Sequence, residues 1–438
     1  MQNIIYKSIL GVLAVTAIVS CKPDLKTPTP SAGSVDVSKY VSIGNSITSG
    51  YADGALYYDG QMVSYPNLLA EQFKLVGGGE FKQPLVSMSS VGLGSALNSR
   101  YTLNYKTDCS GVTALSPITG NGDFGVFANI ATQGPFNNMG VPGAKSFHVP
   151  FAGYGTANPY FGRFASSASA SMLSDAAAQK PTFFSLFIGN NDVLSYALAG
   201  GASDSITAPG IFNFSIDAIV NTMMAAGAAK GIIGNIPDVT ALPYFTTIPY
   251  NSVVLDGNSA AQLNGYYNLA YPGSNISFVA GANAFVIKDP TAPAGVRKMK
   301  ANECVLLSIP QDSIKCAKWG SQKPLANQYV LTETEIAAIQ NAVASFNSKL
   351  RSTADIKGLA FVDVSAFMTE AKKGIVFNGV TTSATFVSGG AFSLDGVHLT
   401  PKGNALLANE FIMAVNSKYG SSIPLLDPGK YRGVVFPN

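Results

Sequence analysis

The 438-residue chain has two histidines, His148 and His398. Only His398 stands near a carboxylate in sequence, three residues after Asp395 in "LDGVHLTPKG". An aspartate at that spacing can accept a hydrogen bond from one ring nitrogen and leave the other facing a nucleophile. The candidate nucleophile is Ser46, in "KYVSIGNSITSGYADG", where the apolar run Tyr40–Ile43 stops at Gly44-Asn45-Ser46. A serine hydroxyl is a poor nucleophile until a base removes its proton. Together the three residue types offer acyl transfer through a serine. Taken alone, Ser46 also reads as an ordinary turn residue, and Asp395 as a brace for the turn before the last helix.

These residues need elements to hold them. Short β-runs recur along the chain: "KYVSIG", "TFFSLFIG" (182–189), "KGIIGNIP" (230–237) and "GLAFVDVSAF" (358–367). "TFFSLFIG" is nearly all apolar, as expected of a strand buried on both faces. Helical patterns alternate with them. "SASASMLSDAAAQK" precedes the second run. "TETEIAAIQNAVASFNSKL" opens with Thr332 and Glu335 at capping-box spacing and carries Ile336, Ile339, Val343, Phe346 and Leu350 on one face. "TPKGNALLANEFIMAV" opens with Thr400 as N-cap and Pro401 at the first helical position. Alternating strands and helices predict a parallel sheet covered on both faces, with its site beyond the carboxyl ends of the strands.

Polar motifs follow those strand ends: Gly44-Asn45-Ser46, Gly189-Asn190-Asn191-Asp192, and Asn235-Ile236-Pro237-Asp238. "NNMGVPGA", with Asn138, Gly140 and Gly143, precedes the second run. Four of these blocks, in this order, resemble the SGNH (GDSL) hydrolases: Ser46, Gly143, Asn191, and Asp395 with His398. The matched blocks run from residue 40 to 403. The resemblance implies a three-layer α/β/α, flavodoxin-like fold. It also implies an oxyanion hole made by the backbone N–H groups of Ser46 and Gly143 and the side-chain amide of Asn191. At Gly143 the missing Cβ lets an intermediate approach the backbone. One departure is visible: the family's first block usually reads Gly-Asp-Ser, and here it reads Gly-Asn-Ser. Asn45 can accept a hydrogen bond but carries no charge. "NIPD" resembles a segment common in these hydrolases and reads as structural, with Asp238 a lesser site candidate. His148, without a short-range partner, reads as packing or cleft lining.

Hydrophobic residues make up 47% of the chain and charged residues 12%, so a large core is available; a net charge of +3 does not suggest a nucleic-acid partner. Two histidines and no CxxC exclude a His-rich metal site and disfavour a zinc hydrolase. Lys7 is followed by "SILGVLAVTAIVSC", too short an apolar run to span a bilayer. Its ending is similar to a bacterial lipobox. Residues 1–20 are therefore expected to be a lipoprotein signal peptide, Cys21 the lipidated residue, and 21–38 a flexible tether. The alternative is an ordinary secretory signal with a chance cysteine. Export permits disulfides. Cys304 and Cys316, close in sequence, are the expected pair, leaving Cys109 over.

The expected organisation is one hydrolase domain over 39–425 with large insertions at about 74–135 and 244–328. A tail over 426–438 follows. The expected function is a serine esterase or lipase working through an acyl-serine, with short acyl groups preferred and no metal or organic cofactor. Its partners would be a small-molecule or glycan ester and, through the lipid anchor, a membrane. The expected place is the cell envelope outside the cytoplasm, at the outer membrane. The alternative is a non-catalytic glycan- or lipid-binding lipoprotein on the same fold.

Overall fold

A computed structural model describes residues 29–437. Cys21, the signal segment and most of the tether lie outside the described residues. Five strands form the main sheet: β1 (Tyr40–Gly44), β2 (Asn138–Gly140), β3 (Phe183–Phe187), β4 (Lys230–Gly234) and β5 (Ala360–Val362). Their order is β5-β4-β3-β1-β2, and every neighbouring pair is parallel. This is the flavodoxin-like arrangement, whose direction of winding reverses between β1 and β3. All residues of β1 and β3 are buried, which explains their mostly apolar character; the serines they contain, Ser42 and Ser185, hydrogen-bond to each other at 3.0 Å.

Helices cover both faces. On one side, α1 (Tyr65–Lys74) packs on α5 (Pro401–Tyr419), with the rings of Tyr65 and Phe411 stacked at 4.7 Å. On the other, α3 (Pro209–Ala225) packs on α4 (Glu333–Lys357), with Phe212 and Phe346 stacked at 4.0 Å. The α4 cap is the expected one: Thr332 and Glu335 exchange side chain-to-backbone hydrogen bonds. Ile339, Val343, Phe346 and Leu350 are buried on its inner face. Thr400 accepts from Gly403 N–H at 3.1 Å and starts α5, with Pro401 in its first turn.

The two insertions differ in build. The first holds a hairpin, Thr102–Thr107 against Thr113–Ile118, and short 3₁₀ turns. The second holds a 14-residue helix, Gly257–Ala270, and small antiparallel pairs around two apolar clusters of its own. Arg297 is its polar hub, bridging Asp289 and the buried Glu303 at 2.6 Å each. The disulfide expected between Cys304 and Cys316 does not form. Cys316 pairs instead with Cys109, 207 residues away, and Cys304 is a free, half-buried thiol. Chain distance misled: Cys304 is held in a strand pair with Leu331, whereas Cys316 ends a short helix that meets the first insertion. Lys315 pairs with Asp108 at 2.7 Å beside the bond, so the two insertions are clasped covalently and by charge. The tail is not loose: Lys402 N–H donates to Arg432 O at 3.0 Å.

Candidate active site

The winding reversal places the ends of β1, β2 and β3 side by side. In register, Gly44 lies between Gly140 and Phe187. Ser46, Gly143 and Asn191 each follow one of these strand ends, so the sheet sets all three on one edge. The backbone turns tightly there. A Cβ on Gly44 would sit 2.0 Å from Thr48 Oγ1, and one on Gly140 2.3 Å from Ser49 N. Only glycine lets the Ser46–Ser49 turn fold back onto the strands. Asn45 caps that turn by accepting from Ile47 N–H at 3.2 Å. A neutral acceptor suffices for that task, so the Asp-to-Asn departure leaves the local geometry intact.

His398 and Asp395 arrive from the loop before α5. His398 Nε2 lies 2.8 Å from Ser46 Oγ, and His398 Nδ1 lies 2.8 Å from Asp395 Oδ2. Asp395 Oδ1 also accepts from the N–H groups of Val397 and His398 at 2.9 and 2.8 Å. Burial alone would raise its carboxyl pKa. The charge of His398 and these hydrogen bonds outweigh burial and hold Asp395 well below the usual carboxylate range. Tyr51 packs against the imidazole with ring centres 4.9 Å apart.

The third edge supplies donors. Val141-Pro142-Gly143-Ala144 is a tight turn closed by Ala144 N–H to Val141 O at 3.1 Å, with Gly143 at φ +79°. The Gly143 N–H has no partner among the described residues. Asn191 Nδ2 donates to Ala144 O at 3.0 Å, which orients its amide and leaves its second hydrogen available. Asp192, next in the block, accepts from Ser146 N–H at 2.8 Å and Ser146 Oγ at 2.6 Å. That clamp locks the Gly143 turn to the start of α2 (Asn191–Leu198) and was not singled out from sequence.

The lesser candidates lie elsewhere. Asp238 caps a 3₁₀ turn by accepting from Thr240, and has no contact with the Ser46 group. His148 accepts from Lys145 N–H at 3.1 Å and stacks on Tyr154. Burial, with Lys145 beside it, lowers its pKa to about 4, so it is a neutral packing residue at neutral pH. The first insertion reaches the segment that follows Ser46, and the second reaches the Asp395–His398 loop. Tyr101 N–H donates to Asp53 O at 2.7 Å, and Tyr244 N–H donates to Gly396 O at 3.0 Å.

A parallel sheet of this winding, with a Ser-His-Asp line at its carboxyl edge, defines an SGNH-type hydrolase fold. The family profile for GDSL-like lipase/acylhydrolase matches residues 40–411, and the chain belongs to that family of carboxylic ester hydrolases. Solved structures align loosely. A GDSL-like lipase from Parabacteroides merdae is 11% identical, covering 89% of this chain and 99% of its own at TM-score 0.35. A catalytic mutant of Axe2, an acetylxylan esterase from Geobacillus stearothermophilus, is 11% identical over 87% and 95%, at TM-score 0.33. An extracellular lipase from Streptomyces rimosus is 12% identical over 86% and 98%, at TM-score 0.33. No curated protein matches the chain.

Proposed function

We propose that Ser46, His398 and Asp395 are the nucleophile, general base and orienting acid of a serine esterase. One observation carries the reading: the hydrogen-bond line from Ser46 Oγ through the imidazole to Asp395, 2.8 Å at each step. As Ser46 Oγ bonds to the ester carbon, His398 Nε2 takes the hydroxyl proton. It then gives that proton to the departing alcohol oxygen, leaving an acyl-serine. Water repeats the cycle: His398 takes its proton, the hydroxide attacks the acyl carbon, and Ser46 leaves reprotonated. The negative carbonyl oxygen of each intermediate is met by the N–H groups of Ser46 and Gly143 and by the Asn191 amide. The intact line favours turnover over a purely binding role.

Short acyl groups on a polar or sugar-like alcohol are the substrates this reading favours. Tyr244 and Leu307 of the second insertion stand beside the Asp395–His398 loop and Tyr101 of the first beside the Asp53-Gly54 turn, and the insertions are rich in Tyr, Asn, Gly and Ser with few long aliphatic runs. Export with a lipid on Cys21, facing the cell envelope at the outer membrane, is supported by "AIVSC" and by a disulfide, which persists in oxidising compartments. The decisive experiment is Ser46→Ala assayed on nitrophenyl esters from acetate to palmitate and on acetylated sugars. Loss of all turnover in the variant is expected, with the parent best on acetate to butyrate. Unchanged turnover refutes the nucleophile, and a palmitate optimum refutes the acyl preference. Cys21→Ser is expected to move the protein from the membrane to the soluble fraction.

A further inference from the structure

The acid of the triad is held from two sides, and only one of them is its own loop. Ala52-Asp53-Gly54-Ala55 is a two-residue hairpin closed by reciprocal backbone bonds of 3.1 and 3.0 Å between Ala52 and Ala55. Asp53 and Gly54 both have positive φ, +51° and +73°, the pattern that favours Asp-Gly in such turns. Both backbone N–H groups at the tip of this turn, and one oxygen of the Asp53 carboxylate, are spent on the loop carrying Asp395. Gly54 N–H donates to Asp395 Oδ2 at 2.8 Å. Asp53 N–H donates to Ser393 Oγ at 2.9 Å, and that hydroxyl donates to Asp395 Oδ1 at 3.0 Å. The Asp53 carboxylate accepts from Leu394 N–H at 2.9 Å and from Tyr57 O–H at 2.8 Å.

The turn also belongs to the nucleophile's own segment. Tyr51 N–H donates to Ser46 O at 3.0 Å, and Tyr51 O–H donates to Gly54 O at 2.6 Å while its ring lies on His398. One stretch of ten residues, 46–55, thus carries Ser46 at one end and grips the acid's loop at the other. No backbone pairing of the main sheet joins these two loops directly, because β5 sits at the far edge from β1.

We propose that Asp53 is a positioning residue of the hydrolytic site, setting the Asp395–His398 loop against Ser46 and adding a second negative charge behind the imidazole. The inference rests on the Ser46–His398–Asp395 reading. Asp53 does not touch substrate. Its effect passes through the direction of the Asp395 carboxylate and through the stability of the imidazolium that forms as Ser46 loses its proton. The charged and titratable groups facing this pair come from several elements. Tyr51 and Tyr57 come from the first connection, Arg100 and Tyr101 from the first insertion, and Arg432 from the tail. Burial raises the Asp53 carboxyl pKa, and Asp395 adds to that rise.

The test compares Asp53→Ala, Asp53→Asn and Ser393→Ala with the parent on nitrophenyl acetate from pH 5 to 9. Thermal midpoints and the rate of labelling by a fluorophosphonate serine probe are read in parallel. Asp53→Ala is expected to lower kcat and the labelling rate about 100-fold, the scale of a small misalignment, with KM within about threefold. Asp53→Asn keeps an acceptor for Leu394 N–H and should recover about tenfold of that loss. Both should move the acid limb of the kcat profile to lower pH, because a carboxylate that favoured the imidazolium is gone. Asp53→Asn should keep or raise the thermal midpoint. If Asp53→Ala does not fold, Asp53→Asn and Ser393→Ala carry the test. Folded variants with parental kcat and an unmoved acid limb overturn the proposal, as does a loss that only follows the folded fraction. Ser46→Ala, run beside them, separates the two readings: if it keeps parental turnover, the triad assignment itself falls.

Discussion

The sheet and the insertions keep their shapes by different means. Every residue of β1 and β3 is buried, and the turns beyond them are set by close backbone contact at Gly44 and Gly140. The hairpin of the first insertion buries only Leu103 among its twelve strand residues. It is anchored instead by a disulfide and an ion pair to the second insertion, which has small cores of its own. The sheet edge can therefore hold reacting groups to the tolerance that catalysis requires. The insertions can change without moving Ser46, which makes them the natural seat of substrate choice.

The largest effects should fall on the sheet edge. His398→Ala is expected to lower kcat about 10⁴-fold or more, matching Ser46→Ala because the triad acts as a unit. Asn191→Ala should cost about 10²–10³ in kcat, the usual loss for one oxyanion donor. Steady-state kinetics with thermal melts to confirm folding check both. If either variant changes KM alone, the edge is a binding surface and the comparison fails.

Breaking the clasp comes next. A loop of 207 residues closed by a disulfide carries an entropic stabilisation of roughly 5 kcal/mol in the chain-entropy picture. Cys109→Ser should lower the thermal midpoint while leaving kcat on nitrophenyl acetate within about threefold, since the contacts that hold the triad, the sheet edge at Ser46 and the Asp53 turn on the Asp395 loop, do not involve the disulfide. Thiol counting in denaturant without reductant should find Cys304 labelled and Cys109 and Cys316 protected. Native labelling of Cys304 should be slow, because burial pushes its thiol up to about 11.

Smaller still are the walls. Tyr101→Ala and Tyr244→Ala should shift kcat/KM between acetate and octanoate esters by about tenfold while kcat on acetate stays near parental, the size expected when one side chain is trimmed from a pocket wall. Equal effects on all esters would place these tyrosines in the scaffold instead. The smallest effect is electrostatic. Asp395 has a carboxyl pKa depressed below its ordinary 3.8, so its ionised form stabilises the fold above that value. That stability is lost as pH falls toward the depressed value. The gap in thermal midpoint between the parent and Asp395→Asn should therefore shrink below about pH 4. A gap that stays constant down to pH 2 contradicts it.

Legibility in the sequence followed the same divide. The long β-runs and the capped helices α4 and α5 announce themselves, since apolar period and cap chemistry act locally. β2 does not: three residues, Asn138–Gly140, are too few for any period, and only their motif is visible. "GLAFVDVSAF" continues past its strand because Asp363 caps a helix at Val364 by accepting from Ala366 N–H at 2.9 Å. The helix Gly257–Ala270 escapes notice, with glycines and asparagines on it and only Ala260, Leu263 and Tyr267 buried. The cysteine pairing is not encoded by chain distance at all. Asp53 could have been found: Asp-Gly is the strongest short hairpin signal, but what that turn grips lies 341 residues away.

The clasp also makes part of this protein a ring. The covalent circuit from Cys109 to Cys316 encloses Gly143 and Asn191, while Ser46 and His398 sit on the two arms outside it. A protease that cuts once inside the circuit, for example at the exposed Leu269 or Val279, opens the ring but releases no fragment. The two pieces migrate as one molecule until a reductant is added. The bond keeps the piece carrying Asp395 and His398 attached to the piece carrying Ser46, Gly143 and Asn191, so an enzyme nicked in its second insertion retains every group of its site in one molecule.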